Sequence, residues 1–185
     1  MKSLSVVVLL TLGIAACAAP PPAPEPAAPS MAVTESLQTP YGFVKGYLTQ
    51  AAEQAPETLY AFQATPDVRT LGQILAHVAD ANFMFCGAAS GEQGPADSAE
   101  QTLTAKADIQ QALADSFAFC DQAFAGVDDT TGAAEATADM MGMTTTKLGV
   151  LSFATAHQFE HYGNIVTYLR LNDMVPPSSQ PADGM

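Results

Sequence analysis

Apolar residues recur every three or four positions along four stretches of this 185-residue chain, and this periodicity predicts four α-helices. The predicted helices cover about residues 40–55, 70–86, 104–125 and 146–171. Thr39 and Pro40 have the residue types of an N-cap and a first helical position, so the first helix is predicted to begin there. No stretch alternates apolar and polar residues for long enough to predict a strand. Four helices with two long connections predict an all-α fold, a four-helix bundle with crossover connections.

All three histidines of the chain fall on the apolar faces of these predicted helices. His157 and His161 are four residues apart, so their side chains lie one turn apart on one face of the fourth helix. His77, on the second helix, can supply a third imidazole. Burying neutral imidazoles without partners costs stability, whereas a metal satisfies one nitrogen of each ring. The pattern predicts a three-histidine site for a divalent cation with an open coordination position; the alternative is three unrelated core histidines.

Two polar residues on the same helix faces are candidates for orienting these rings. Asp80 follows His77 by three residues, and Asn164 follows His161 by three. The alternative for each is an ordinary polar residue at the surface.

The segment 157–161 also spells H-x-x-E-H, the inverted zinc-peptidase motif, which needs a further ligand, normally a glutamate downstream. No glutamate follows Glu160 in the sequence, so the peptidase interpretation is disfavoured.

The N-terminal segment has the features of a lipoprotein export signal. Lys2 precedes an apolar stretch, residues 4–16, that is too short to span a membrane. Ile14-Ala15-Ala16-Cys17 resembles the bacterial lipobox, in which the cysteine becomes the lipidated N-terminus; the alternative is an ordinary signal peptide. We expect a signal peptide at residues 1–16, an Ala/Pro-rich tether at 17–32, the bundle at 33–178 and a disordered tail at 179–185. The expected location is the cell envelope, on the periplasm-facing outer membrane in a cell with two membranes.

The chain is strongly acidic, with 19 Asp and Glu against 6 Lys and Arg and a net charge of −13. Removal of residues 1–16 takes away Lys2 and no acid, which gives −14. Such a domain does not bind nucleic acid or an anionic bilayer electrostatically, so membrane attachment is expected through lipidated Cys17 alone. A homodimer is compatible with the sequence. Cys86 and Cys120 either form a disulfide, which an oxidising compartment permits, or are two small buried hydrophobic residues.

Segments 69–82 (RTLGQILAHVADAN) and 156–164 (AHQFEHYGN) resemble the DinB/YfiT-like superfamily of four-helix metal-binding bundles. The resemblance extends over about residues 33–178. It implies that His77, His157 and His161 bind a divalent metal, usually nickel, zinc or iron. The activities that the resemblance implies are thiol S-transfer, thiol-dependent isomerisation and hydrolysis.

From the resemblance and the open coordination position we expect an exported, metal-dependent hydrolase or transferase that acts on a small molecule of unknown identity. Hydrolysis is favoured because the small-thiol cofactors of the transferases are cytoplasmic. The alternative is a non-catalytic metal-binding or stress-associated surface lipoprotein, in which the cation only stabilises the bundle. The sequence identifies no general base.

Overall fold

The computed structural model of the protein describes residues 30–136 and 144–181. Five α-helices occur in these ranges: α1 (Ala32–Gln54), α2 (Leu71–Ser90), the short α3 (Ala99–Thr102), α4 (Lys106–Ala125) and α5 (Lys147–Leu171). Short 3-10 turns lie at Glu57–Ala61, Thr131–Ala133 and Pro177–Ser179. Apart from one isolated bridge between Glu135 and Thr146, the described part of the chain has no β-structure. The predicted all-α fold is therefore confirmed.

The four long helices are arranged so that each packs mainly against two others. Helix α2 packs against α4 and α5, and α1 packs against the same two helices. Helices α1 and α2 therefore lie on opposite sides of the core, as do α4 and α5. The connection at 55–70 joins α1 to α2, and a second connection, of which residues 126–136 and 144–146 are described, joins α4 to α5. Each therefore joins helices on opposite sides of the core. These are the crossover connections that the sequence predicts.

The core draws large apolar side chains from every long helix. Leu48 of α1, Leu75 of α2, Phe117 of α4 and Ile165 of α5 are each almost completely buried. Burial of one such side chain stabilises the fold by roughly 1.5–3 kcal/mol. Phe43 follows the same apolar periodicity in the first helix but is exposed.

The first helix begins earlier than its sequence pattern predicts. Helix α1 starts at Ala32, and Pro40 lies inside it, so the predicted start at Pro40 is wrong. Proline cannot donate a hydrogen bond to the carbonyl four residues back, here that of Ser36. Because Ser36 is exposed, water can reach this region of the helix. A distant carboxylate caps the start of the helix: Asp129 accepts hydrogen bonds from the backbone N–H groups of Val33 and Thr34 at 3.1 and 2.9 Å.

The other long helices begin close to the predicted positions. Thr70 caps α2 through a capping box, in which its hydroxyl accepts from the N–H of Gln73 and its own N–H donates to the Gln73 side chain. Thr146 caps α5 with its hydroxyl alone, which accepts a hydrogen bond from the N–H of Gly149. Helix α2 extends beyond the predicted end at about residue 86, so Gly87 lies inside it. A Cβ there would lie 2.7 Å from the carbonyl oxygen of Glu92, so this glycine permits a close backbone approach.

Two cysteines connect neighbouring helices of the bundle. Cys86 of α2 and Cys120 of α4 are joined by a disulfide, with their Cα atoms 5.2 Å apart. Both side chains are fully buried. The sequence leaves open whether these cysteines form a disulfide or are two buried hydrophobic residues, and the structure has the disulfide.

Several expectations concern residues outside the described ranges. They include the signal peptide at 1–16, the lipidation site Cys17 and most of the tether. Residues 179–181, expected in the disordered tail, are described: Gln180 donates a hydrogen bond to the Gln54 side chain at 2.8 Å. Within the described ranges, each helix is too short or too polar to cross a bilayer.

Candidate metal centre

Helices α2 and α5 bring the three histidines together. The ring nitrogens offered by His77, His157 and His161 all lie within 4.8 Å of one another. The Nε2 atoms of His157 and His161 are 3.0 Å apart. The ring of His77 has its centroid 5.3 Å from that of His157 and 4.8 Å from that of His161. The three side chains thus form one cluster at the contact between the two helices.

Local sequence explains this placement. The four-residue spacing on α5 stacks His157 and His161 one turn apart, and α2 packs directly against that face. His161 is buried, with 6% of its surface exposed. His77 and His157 are half-buried. The ring of Phe85 packs edge-on against His157 with centroids 5.3 Å apart, so one side of the cluster is apolar.

The donor set fits a divalent cation. Two nitrogens that bind one cation at about 2.0–2.1 Å lie roughly 3 Å apart when the angle at the cation is about 90–95°. The Nε2 separation of His157 and His161 matches this distance. Their Nδ1 atoms are buried and have no hydrogen-bond partner among the described residues. A cation bound between the two Nε2 atoms would satisfy that nitrogen of each ring, while Nδ1 keeps no partner among the described residues.

The electrostatic environment keeps both α5 imidazoles neutral near pH 7. Burial, aided by the neighbouring His157 and His77, lowers the pKa of His161 from 6.5 to about 4. Burial, followed by the charge of His77, also lowers the pKa of His157. A metal binds the unprotonated ring, so these shifts leave the nitrogen lone pairs available.

A glutamate that the sequence analysis missed contacts His77. Glu100 of α3 places its Oε2 atom 2.9 Å from His77 Nδ1, while its Oε1 atom accepts a hydrogen bond from Arg69 Nε at 2.6 Å. Burial alone would raise the pKa of Glu100, but hydrogen bonds from Arg69 and His77 outweigh it and lower that pKa. The available sequence signal is weak: Ser98 is an N-cap residue type, and its hydroxyl accepts from the N–H of Gln101 at the start of α3.

The two residues predicted to orient imidazoles have other positions. The carboxylate of Asp80 accepts hydrogen bonds from Ser98, Ala99 and Glu100 instead of from a histidine. It faces α3 because that helix packs against α2 here. Asn164 is exposed beside His161 and has no hydrogen bond to an imidazole within the described ranges. Neither side chain thus hydrogen-bonds an imidazole within the described ranges, and an orienting role for these two residues stays a prediction.

A cavity of about 810 Å³ opens beside the histidines. Its walls include His161, Glu100, Asn164 and the loop 63–69, with Arg69 as the cationic side chain. Glu160, the glutamate of the H-x-x-E-H segment, is exposed and does not line this cavity. The arrangement thus gives a small molecule access to one side of the cluster.

Solved structures with the same fold are distant in sequence. A DinB-like protein from Bacillus cereus has a TM-score of 0.66 and 14% identity, with 77% of this chain and 95% of that chain covered. A DinB-like protein from Bacillus subtilis gives 0.60 and 12%, with 81% and 99% covered. A mycothiol-dependent maleylpyruvate isomerase gives 0.57 and 16%, with 74% of this chain and 65% of that chain covered. At these identities the likeness establishes the fold alone.

Among curated proteins, no sequence matches this chain. The model of the DinB superfamily, in contrast, matches residues 43–165, about two-thirds of the chain. The matched range contains all three histidines as well as Glu100. The chain therefore belongs to the DinB superfamily.

Proposed function

We propose that this protein binds one divalent cation through His77, His157 and His161 and acts with it on a small molecule in the adjacent cavity. The observation that carries the proposal is the convergence of three ring nitrogens within 4.8 Å, on two packed helices. Nickel, zinc and iron all suit an imidazole donor set, so the ligands alone do not select among them.

Three neutral ligands leave the cation its full double charge, so when bound it supplies the Lewis acidity that acidifies a water molecule or a thiol. The protein's own residues set the surroundings. His161 reaches the cavity wall and connects the cluster to the space where a substrate would lie. Phe85 packs edge-on against the ring of His157.

The proposed reaction is hydrolysis, with thiol transfer as the second choice. The similar isomerase of known structure is described as mycothiol-dependent. An exported protein would not meet cytoplasmic thiols, which favours water over a thiol as the nucleophile. Glu100 lines the cavity and is the carboxylate nearest the cluster in the hydrogen-bond network, but its two oxygens already bind Arg69 and His77.

The test is elemental analysis of the untagged protein, followed by a screen of hydrolase and thiol-transfer substrates with each metal. We expect one equivalent of metal in the wild type and a strong loss in His77→Ala, His157→Ala and His161→Ala. Phe159→Ala is the control, because Phe159 is exposed between the two α5 histidines. Full metal occupancy in His157→Ala would contradict the site assignment.

A non-catalytic role is the second candidate, and the position of the site between two helices is the observation that favours it. The histidines connect α2 with α5, so a bound cation would fasten two helices of the bundle. In that case chelation lowers the melting temperature, while no substrate in the screen is turned over. Turnover that disappears in His161→Ala and persists in Phe159→Ala supports the enzyme instead.

We also propose that the protein is exported and anchored to the envelope through lipid on Cys17. The support is the Ile14-Ala15-Ala16-Cys17 sequence and the Ala/Pro-rich segment that follows it. Cys17→Ser is expected to abolish labelling with radioactive palmitate and to release the protein from the membrane fraction. A variant that stays labelled and membrane-bound would contradict this proposal.

A further inference from the structure

Glu100 approaches His77 from a separate element of the fold. A carboxylate only accepts hydrogen bonds, so the 2.9 Å contact between Glu100 Oε2 and His77 Nδ1 requires the ring proton on Nδ1. Arg69 Nη2 lies 3.4 Å from the same nitrogen and would need a lone pair there. The shorter, charge-assisted contact is the stronger one. It leaves the lone pair of His77 on Nε2.

The backbone around Glu100 is held by Asp80. The Asp80 carboxylate accepts from Ser98 Oγ at 2.6 Å, from the N–H of Ala99 at 2.7 Å and from the N–H of Glu100 at 3.0 Å. Asp80 lies one turn beyond His77 on α2. Helix α2 therefore holds α3 through Asp80, and the Glu100 side chain of α3 in turn contacts His77 of α2.

A second restraint acts on the Glu100 carboxylate itself. Arg69 Nε donates to Oε1 at 2.6 Å, which orients Oε2 toward His77. The carbonyl of Arg69 in turn accepts from the Tyr168 hydroxyl at 2.7 Å, and Tyr168 belongs to α5. Both the backbone and the side chain of Glu100 are thus fixed by residues on the two histidine-bearing helices or next to them.

We propose that Glu100 is a positioning residue that holds His77 in the Nδ1–H tautomer and presents its Nε2 atom to the metal, with Asp80 holding Glu100 in place. The inference rests on the proposed metal binding. Carboxylates that accept from the second nitrogen of a ligating histidine fix the tautomer and ring orientation, and their loss typically costs roughly 10- to 100-fold in metal affinity.

Two measurements test the proposal. The tautomer of His77 is read from its ring ¹⁵N chemical shifts in the metal-free protein at pH 8, and zinc affinity is read by competition with a chromophoric chelator. In Glu100→Ala we expect the Nδ1–H tautomer to lose its preference and zinc affinity to fall roughly 10- to 100-fold. Glu100→Gln keeps an acceptor oxygen, so we expect it to retain the tautomer and most of the affinity.

Asp80→Asn leaves Glu100 in the chain and removes part of its anchor, so we expect an intermediate loss of affinity. This variant also decides the question if Glu100→Ala does not fold. The matched controls are Glu92→Ala and Asp97→Asn, exposed acids in the loop between α2 and α3, which are expected to behave as the wild type.

The proposal is overturned if Glu100→Ala keeps both the Nδ1–H tautomer and wild-type zinc affinity, or if Glu100→Gln loses as much as Glu100→Ala. Failure of the wild type to bind any divalent metal overturns the proposed function instead. The tautomer comparison still decides the role of Glu100 in that case, because it needs no metal.

Discussion

Asn82 connects three helices of the core through its side chain. Its Nδ2 donates to Ser116 Oγ of α4 at 3.1 Å, and its Oδ1 accepts from Gln158 Nε2 of α5 at 2.8 Å. All three residues are fully buried. Gln158 lies next to His157 in the sequence and turns into the core, where its Oε1 has no partner among the described residues. This polar set therefore aligns α5 with α2 close to the histidines.

We predict that Asn82→Ala lowers the free energy of unfolding by roughly 2–4 kcal/mol, because it leaves the buried Nε2 donor of Gln158 without an acceptor and removes the donor that Ser116 Oγ accepts from. Urea unfolding monitored by circular dichroism measures the change. Asn164→Ala, at an exposed position, is the control and should stay within about 0.5 kcal/mol of the wild type. A loss of less than about 1 kcal/mol in Asn82→Ala would show that these hydrogen bonds contribute little.

At the scale of the element, Asp129 determines where α1 begins. Hydrogen bonds from Ser30 first, and then from the N–H of Thr34, lower the pKa of Asp129 from 3.8 to about 2. A lowered pKa means that the folded protein favours the ionised form. Its stabilising contribution is therefore complete above about pH 3.8 and is lost as the pH falls toward 2.

We predict that Asp129→Ala lowers the melting temperature at pH 7 by a few degrees, roughly the effect of losing a helix cap. The difference from the wild type should shrink as the pH falls from about 3.8 to about 2, because the wild-type carboxylate then becomes protonated. Melting curves between pH 2 and pH 7 test both points. Asp97→Ala, an exposed loop variant, is expected to match the wild type throughout; a difference that stays constant with pH would contradict the assigned role.

How much of the fold and of the site can be predicted from the sequence depends on whether the contacts that determine each feature are local or distant along the chain. Thr70 and Thr146 cap their own helices, so the starts of α2 and α5 can be predicted from neighbouring residues. The cap of α1 comes from Asp129, some 95 residues away, which no local pattern contains. The histidines are predictable because their spacing follows the helix period. Glu100 is not, because a four-residue helix has no period and its contact with His77 depends on the tertiary position of α3.

The disulfide is a second feature of the element scale, since it joins α2 to α4. Closing a loop of 34 residues is expected to stabilise the fold by about 3–4 kcal/mol in the chain-entropy description. We predict that a reductant lowers the urea midpoint of the wild type accordingly. The double variant Cys86→Ala/Cys120→Ala is the control and should not respond to reductant. An unchanged wild-type midpoint in reductant would mean that the two cysteines are not paired in the purified protein.

At the scale of the whole molecule, the candidate site joins helices that are far apart in the chain but adjacent in the bundle. About eighty residues separate His77 from His157, and both crossover connections bring α2 and α5 side by side. A cation held by these helices would bind the folded protein and not the unfolded chain. Binding is therefore expected to raise stability by mass action.

The net charge of −13 introduces a competing explanation for any such effect, because an acidic protein attracts every divalent cation to its surface. The two effects differ in their selectivity. A histidine site prefers zinc or nickel, whereas calcium prefers oxygen ligands. Zinc at a hundredfold excess over its dissociation constant should stabilise the protein by about 2.7 kcal/mol, a rise of roughly 5–10 °C in melting temperature. We predict this rise for the wild type with zinc, little change with calcium at the same concentration, and little change with zinc in His157→Ala. Equal rises in melting temperature with zinc and calcium would mean that the stabilisation comes from surface charge and that the histidines do not contribute to it.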